Sequence, residues 1–164
     1  MKLGKAIAHL CDTELKLADE LRTVGDRHAS EQDIFHLSTT LAKQCEDHVE
    51  KLRPFAERYD EDVSGDGDEP GLWETAVSAL RKKGAELAGK TPLSALLLLR
   101  DLHDLYLVAQ ECELDWVIVG QGAQAARDAE LLEVVTACHE EAVHQAKWVR
   151  TRIKTTAAQP LVAS

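Results

Sequence analysis

Apolar residues recur in steps of four and three at the start of the chain: Leu3, Ile7, Leu10, Leu17, Leu21 and Val24. This spacing predicts a helix over residues 2–27 with one face packed against other helices. Glu14 takes the seam position between Leu10 and Leu17. A carboxylate there is costly to bury unless something pairs with it. The seam therefore predicts a polar partner on another helix.

Ser30 and Asp33 form an S-x-x-D capping box, which predicts a second helix over residues 31–59. Its stripe is Ile34, Leu37, Leu41, Cys45, His48, Leu52 and Phe55. Pro54 predicts a kink in the last turn or an end to the regular helix just before it. The connection between the two helices is short, so they are expected to be antiparallel neighbours.

Residues 60–71, DEDVSGDGDEPG, read as an acidic, breaker-rich loop, and 72–87 as a minor helix with Trp73, Val77 and Leu80 on one side. Together residues 60–90 form a long crossover. Thr91 and Pro92 then predict a third helix reaching about Val119, with Ala95, Leu98, Leu102, Leu105, Ala109, Cys112 and Trp116 inward. Gly120-Gln121-Gly122 is expected to break or bend it. A fourth helix is predicted from Ala123 or Asp128 to about Lys154, with Leu131, Val135, Cys138, Ala142, Val149 and Ile153 inward. Residues 156–164 read as a flexible tail.

Four long amphipathic helices joined short, long, short define an all-α four-helix bundle with one crossover, a single domain over residues 1–155. That connectivity belongs to ferritin-like folds. Composition agrees: aromatic residues are only 4 % of the 164, hydrophobic residues 45 % and charged residues 29 %.

The net charge of −10 repels phosphate backbones and argues against nucleic-acid binding. The longest apolar run, Ala95 to Leu99, is too short to span a bilayer. No stretch near the N-terminus reads as a signal peptide. Cys11, Cys45, Cys112 and Cys138 contain no C-x-x-C pair, which predicts reduced thiols in the cytoplasm.

The candidate chemistry lies in the bundle interior. At about 100° per residue, Cys45 and His48 fall within about 40° of the centre of the second helix, and Glu113 about 50° from that of the third. Glu14 and the Cys45–His48 segment stand at similar distances from the first turn and so at one level. Cys138 and His139 lie on or beside the fourth stripe. Glu14 is therefore expected either to bond to His48, Tyr106 or another bundle residue, or to ligate a metal. For His48 and His139 the alternatives are a hydrogen-bonded, half-buried imidazole or a ligand. For Glu113 they are a bundle-edge ion pair or a ligand. The four cysteines read as small buried hydrophobes or, as thiolates, as a soft-metal or redox centre.

On these residues the chain resembles the ferritin-like superfamily, most closely its small bacterial helical-bundle members. In the di-iron members two helices each supply a Glu, and the other two each supply Glu-x-x-His. Glu14 and Glu113 match the single-Glu places, and Glu141-x-x-His144 matches the four-residue motif. The second helix departs from the pattern, because Cys45-x-x-His48 has a Cys where the Glu belongs. Glu141 lies about 90° from the apolar centre of its helix, with His144 on the polar side. The resemblance implies a structural or stress-related protein with a degenerate metal site. Its alternative is an iron- or manganese-binding protein with redox or storage activity. The candidate ligands are Glu14, His48, Glu113, His139, Glu141 and His144.

Three further patterns have simpler readings. Asp60-x-Asp62-x-Ser64-Gly65 starts like a calcium loop, but Gly71 stands where the bidentate Glu belongs, so a solvated linker is expected. Lys147, Arg150, Arg152 and Lys154 suit the negative end of a helix macrodipole. Leu96, Leu97 and Leu107 predict a homodimer. No Walker sequence, nucleophile elbow or other phosphate loop is present.

Overall fold

A computed structural model describes residues 2–61, 63 and 92–162. The predicted minor helix and nearly all of the calcium-like loop lie outside the described residues. Among those described there are four helices and no strand. We number them α1 (Lys2–Arg27), α2 (Gln32–Arg58), α3 (Pro92–Ala126) and α4 (Ala129–Val162).

Side-chain pairs give the direction of each helix. Thr13 meets Asp115, Lys16 meets Glu111 and Arg27 meets Asp101, so α3 runs antiparallel to α1. His48 meets Glu141 and Asp33 meets Arg152, so α2 and α4 are antiparallel. The α1–α2 and α3–α4 pairs are joined through short turns. It follows that α2 and α3 run the same way, and only a connection as long as the bundle can join them. Around the bundle α1 packs against α2 and α3, and α4 packs against α3 and more sparsely against α2.

The predicted seam of α1 is buried, with Ile7, Leu10, Glu14, Leu17, Leu21 and Val24 all in the core. The stripe of α2 needs correction in its first half. Leu37 is 40 % exposed and Leu41 only partly covered, while Ser38 and Ala42 fill the core. The reason is close approach of two backbones. A Cβ built on Gly25 of α1 would sit 3.1 Å from Cβ of Ser38, and at that separation a leucine does not fit. The capping box does not form either. Glu31 holds the cap position without a side-chain cap bond, and Asp33 instead pairs with Arg152 at 2.8 Å.

Pro54 does not end α2, which continues to Arg58 while Phe55 and Ala56 pack inward. Both α2 and α3 end in Schellman turns. Glu61 N–H donates to Ala56 C=O and Asp60 N–H to Glu57 C=O, with Asp60 at φ 61°. Asp128 N–H donates to Ala123 C=O and Arg127 N–H to Gln124 C=O, with Arg127 at φ 56°. Asp128 then caps α4, accepting from Leu131 N–H at 3.0 Å and from the Tyr59 hydroxyl at 2.8 Å.

The glycines of the Gly120-Gln121-Gly122 segment do not break α3, which runs on to Ala126. Their role is close packing. A Cβ on Gly122 would meet Leu3 Cδ1 of α1 at 2.6 Å, and one on Gly120 would meet Val135 Cγ1 of α4 at 3.2 Å. The fourth helix also outruns its expected end near Lys154. It remains helical to Val162, through most of the residues read as a tail, with Pro160 in its last turn.

Candidate functional site

Glu14 and His48 are both fully buried at the middle of the bundle. Trp116, also fully buried, donates its indole N–H to Glu14 Oε1 at 2.6 Å. His48 Nδ1 lies 2.9 Å from the same oxygen, and His48 Nε2 lies 2.7 Å from Glu141 Oε2. The imidazole stands edge-to-face with the Trp116 ring, with centroids 5.5 Å apart. One residue from each helix thus joins a single layer, in the order Trp116 (α3), Glu14 (α1), His48 (α2), Glu141 (α4).

The protonation state follows from the partners. An ionised carboxylate only accepts hydrogen bonds. An imidazole flanked by carboxylate oxygens on both nitrogens therefore donates from both, and does so as the cation. Burial pushes its proton affinity down, but the bonds to Glu14 and then Glu141 more than offset this, so the pKa of His48 rises above its ordinary 6.5. The side chain of Glu141 is 39 % exposed, so the layer begins at the surface and ends in the core. Its His48–Glu141 link crosses the sparsely packed α2–α4 seam. One turn further along α4, Gln145 accepts from the Cys45 thiol at 3.7 Å and donates to Gln44 at 2.7 Å.

One atom in the layer is unsatisfied. Glu14 Oε2 is buried with no hydrogen-bond partner among the described residues. Cys45 and Cys112 lie close enough to feel this carboxylate. Burial first, and then its charge, push both thiols far above the ordinary thiol range. Burial likewise raises Cys11 to about 12 and Cys138 to about 11. All four cysteines are free and buried. Neutral buried thiols behave as small hydrophobes and are poor nucleophiles and ligands.

The structure brings together three of the six residues singled out in the sequence: Glu14, His48 and Glu141. None of the other three bonds to the layer. Glu113 is half-buried and accepts from Gln110 on its own helix at 3.0 Å. His144 is exposed. His139 is half-buried, and its Nε2 is covered without a partner among the described residues. Among the described residues, no three His, Cys, Asp or Glu side chains are arranged to hold a metal ion.

Trp116 is the member that sequence reasoning missed. Helical spacing alone places it in the apolar stripe of α3. A buried indole N–H nevertheless requires an acceptor, and Glu14 was the unpaired acceptor on offer. Two smaller buried polar sites were also missed. Asp101 accepts from Arg27 Nη1 with both oxygens at 2.7 Å and pairs with His28 Nε2 at 2.8 Å. Burial alone would raise the Asp101 carboxyl, but the His28 hydrogen bond and the Arg27 charge bring it below its ordinary 3.8. Asp115 accepts from Thr13 Oγ1 at 2.8 Å and lies 3.4 Å from His9 Nε2. Both tie α1 to α3.

Comparison of the chain with protein-family models, curated proteins and solved structures finds no match. The class of the molecule therefore rests on its own architecture: among the described residues, four helices and no strand, compatible with a four-helix bundle, with a charged layer across the middle. No described helix is long and apolar enough to cross a membrane.

Proposed function

We propose that this chain is a ferritin-like, non-catalytic structural bundle in which a hydrogen-bonded relay stands where a metal centre would be. One observation carries the reading. Both nitrogens of His48 are engaged by carboxylates, Glu14 on one side and Glu141 on the other. A metal-ligating histidine needs one of those nitrogens free of its proton. The parallel course of α2 and α3, with short connections on either side, supports the ferritin-like assignment. The stress-related role comes from the resemblance.

The donor set does not fit a dinuclear carboxylate centre. Such a centre draws four carboxylates and two histidines from the four helices. Here none of Glu113, His139 and His144 bonds to Glu14, whose partners are His48 and Trp116, and a cysteine occupies the remaining carboxylate place. The relay instead suits a registry device. It links all four helices at one level and ties α4 to α2, the most sparsely packed of the adjacent helix pairs. Buried polar groups can fix helix register at a cost in stability.

A second reading, a single bound iron or manganese ion, is favoured by the unpartnered Glu14 Oε2. Elemental analysis of protein grown with added iron or manganese, beside its Glu14→Gln variant, separates the two. The structural reading expects metal well below one ion per chain in both proteins. One ion or more per chain, lost in Glu14→Gln, would overturn it.

A further inference from the structure

We infer that the outer face of α4 is the contact surface of a two-fold symmetric homodimer, in which α4 packs antiparallel to α4 of a second copy and Glu133 and Glu140 pair with the partner's Lys154 and Lys147. This goes beyond the proposed function, uses none of the relay residues, and places the contact on α4 rather than on the exposed leucines of α3.

The core face of α4 presents Leu131, Val135, Cys138, Ala142 and Val149. Roughly opposite, at about 100° per residue, stand Glu133, Glu140, Lys147 and Lys154, each seven residues from the next. An unbroken heptad drifts only about 20° per repeat, so the four share one stripe. All four are exposed. Other charged residues of α4 are engaged within the chain: Glu130 by Arg58, Glu141 by His48 and Arg152 by Asp33. Among the described residues, the four side chains of the stripe form no hydrogen bond or ion pair. Seven residues is also the wrong spacing for pairing along one helix, which joins charges three or four apart. Nor do the cations serve the negative end of the helix, as their place in the sequence suggests. The helix runs on to Val162 and its last turn holds no basic residue, whereas the macrodipole acts within that turn.

The order of charges selects the occupant and its direction. Along α4 the stripe reads acid, acid, base, base. With a two-fold axis between Val143 and His144, Glu140 faces the partner's Lys147 and Glu133 faces the partner's Lys154. Symmetry repeats both pairs. In the same register Thr136 faces the partner's Thr151, and Arg150 faces the partner's Ala137, one turn from the partner's Glu133. Small side chains between the charges, Thr136, Val143 and Thr151, are also exposed and let two helices approach closely. A parallel pair would set Glu on Glu and Lys on Lys along the whole stripe, which is repulsive. The face thus matches itself only in the antiparallel sense, as a two-fold interface requires. With −10 on each chain, a locally matched face is needed for two copies to meet at all.

Sedimentation velocity of the full chain, two charge reversals and their mixture tests this. The unmodified chain is expected to sediment as a dimer at about 100 μM in about 50 mM salt, and to dissociate as salt is raised to about 0.5 M. Lys147→Glu and Glu140→Lys, at exposed positions, are expected to keep the helical circular-dichroism spectrum. Each variant alone should raise the dissociation constant at least about tenfold, because like charges then face each other across the axis. An equimolar mixture of the two variants should associate again, since in the mixed pair an acid faces a base at both places. The double variant Glu140→Lys with Lys147→Glu should dimerise by itself for the same reason. A chain that stays monomeric at that concentration overturns the proposal. So does a dimer that either reversal leaves intact. A dimer that the reversals break, but that neither the mixture nor the double variant restores, overturns it as well.

Discussion

Trp116 donates its indole proton to Glu14 Oε1 at 2.6 Å, and His48 approaches that same oxygen at 2.9 Å from a different helix. One carboxylate oxygen thereby collects α3 and α2 onto α1 in a site with no access to water. A buried carboxylate is tolerable only with such donors. The arrangement explains why Glu14 can sit among leucines.

Removing one member should therefore cost far more than removing the whole set. Glu14→Leu leaves the His48 cation facing only Glu141 and leaves the Trp116 N–H without an acceptor. The expected loss is about 3–5 kcal/mol in urea unfolding. Replacing Glu14 and His48 together by leucine, with Trp116→Phe, should recover most of that stability. If the layer sets register, the recovered protein should show broadened side-chain NMR resonances despite its stability. Sharp, native-like resonances in the triple variant would remove the registry role.

The relay also sets a pH dependence. The folded pKa of His48 is raised above 6.5. Its contribution is therefore fully present below 6.5 and is lost as pH rises through the higher folded value. Stability measured from pH 6 upward should fall more steeply for the natural chain than for His48→Gln. Asp101 works in the opposite sense. Its folded pKa lies below 3.8, so its contribution is present above that value and is lost as pH falls through the folded one. Asp101→Asn should flatten the acid limb of the stability curve. Parallel curves for variant and natural chain would refute either assignment.

Gly4 marks a close approach with little room to adjust. A Cβ there would lie 2.6 Å from the Tyr59 carbonyl oxygen, which is backbone. Gly4→Ala should destabilise by about 1–3 kcal/mol, overriding the usual gain of alanine in a helix. Gly120→Ala meets only a side-chain methyl at 3.2 Å and should cost clearly less. Thermal melts of the two variants give the comparison, and equal melting temperatures would contradict it.

Arg127 holds a left-handed conformation at φ 56° in the turn between α3 and α4. A side chain there costs about 1 kcal/mol that glycine does not. Arg127→Gly should therefore raise stability by up to about 1 kcal/mol, measured by urea denaturation. A loss would mean that the arginine side chain contributes more than the strain it carries.

Glu14 and His48 were legible because both questions about them are local. Helical spacing placed each on an inward face, and distance from the first turn put them at one level. Glu141 was harder. Its position about 90° from the apolar centre suggests a rim residue. Only the sparse α2–α4 seam lets its long side chain reach the His48 ring. Glu113 went the other way, pointing inward by angle yet held on the helix surface by Gln110.

By itself the sequence determined the four helices, their short–long–short order and the presence of a polar group at the centre, because periodicity and turn residues act over a few positions at a time. The tertiary structure alone decided which polar groups meet. It made Trp116 a donor, turned Ser38 inward in place of Leu37, and let α3 pass through two glycines. Each outcome depends on how closely two backbones approach, a distance between helices that no spacing along one helix encodes.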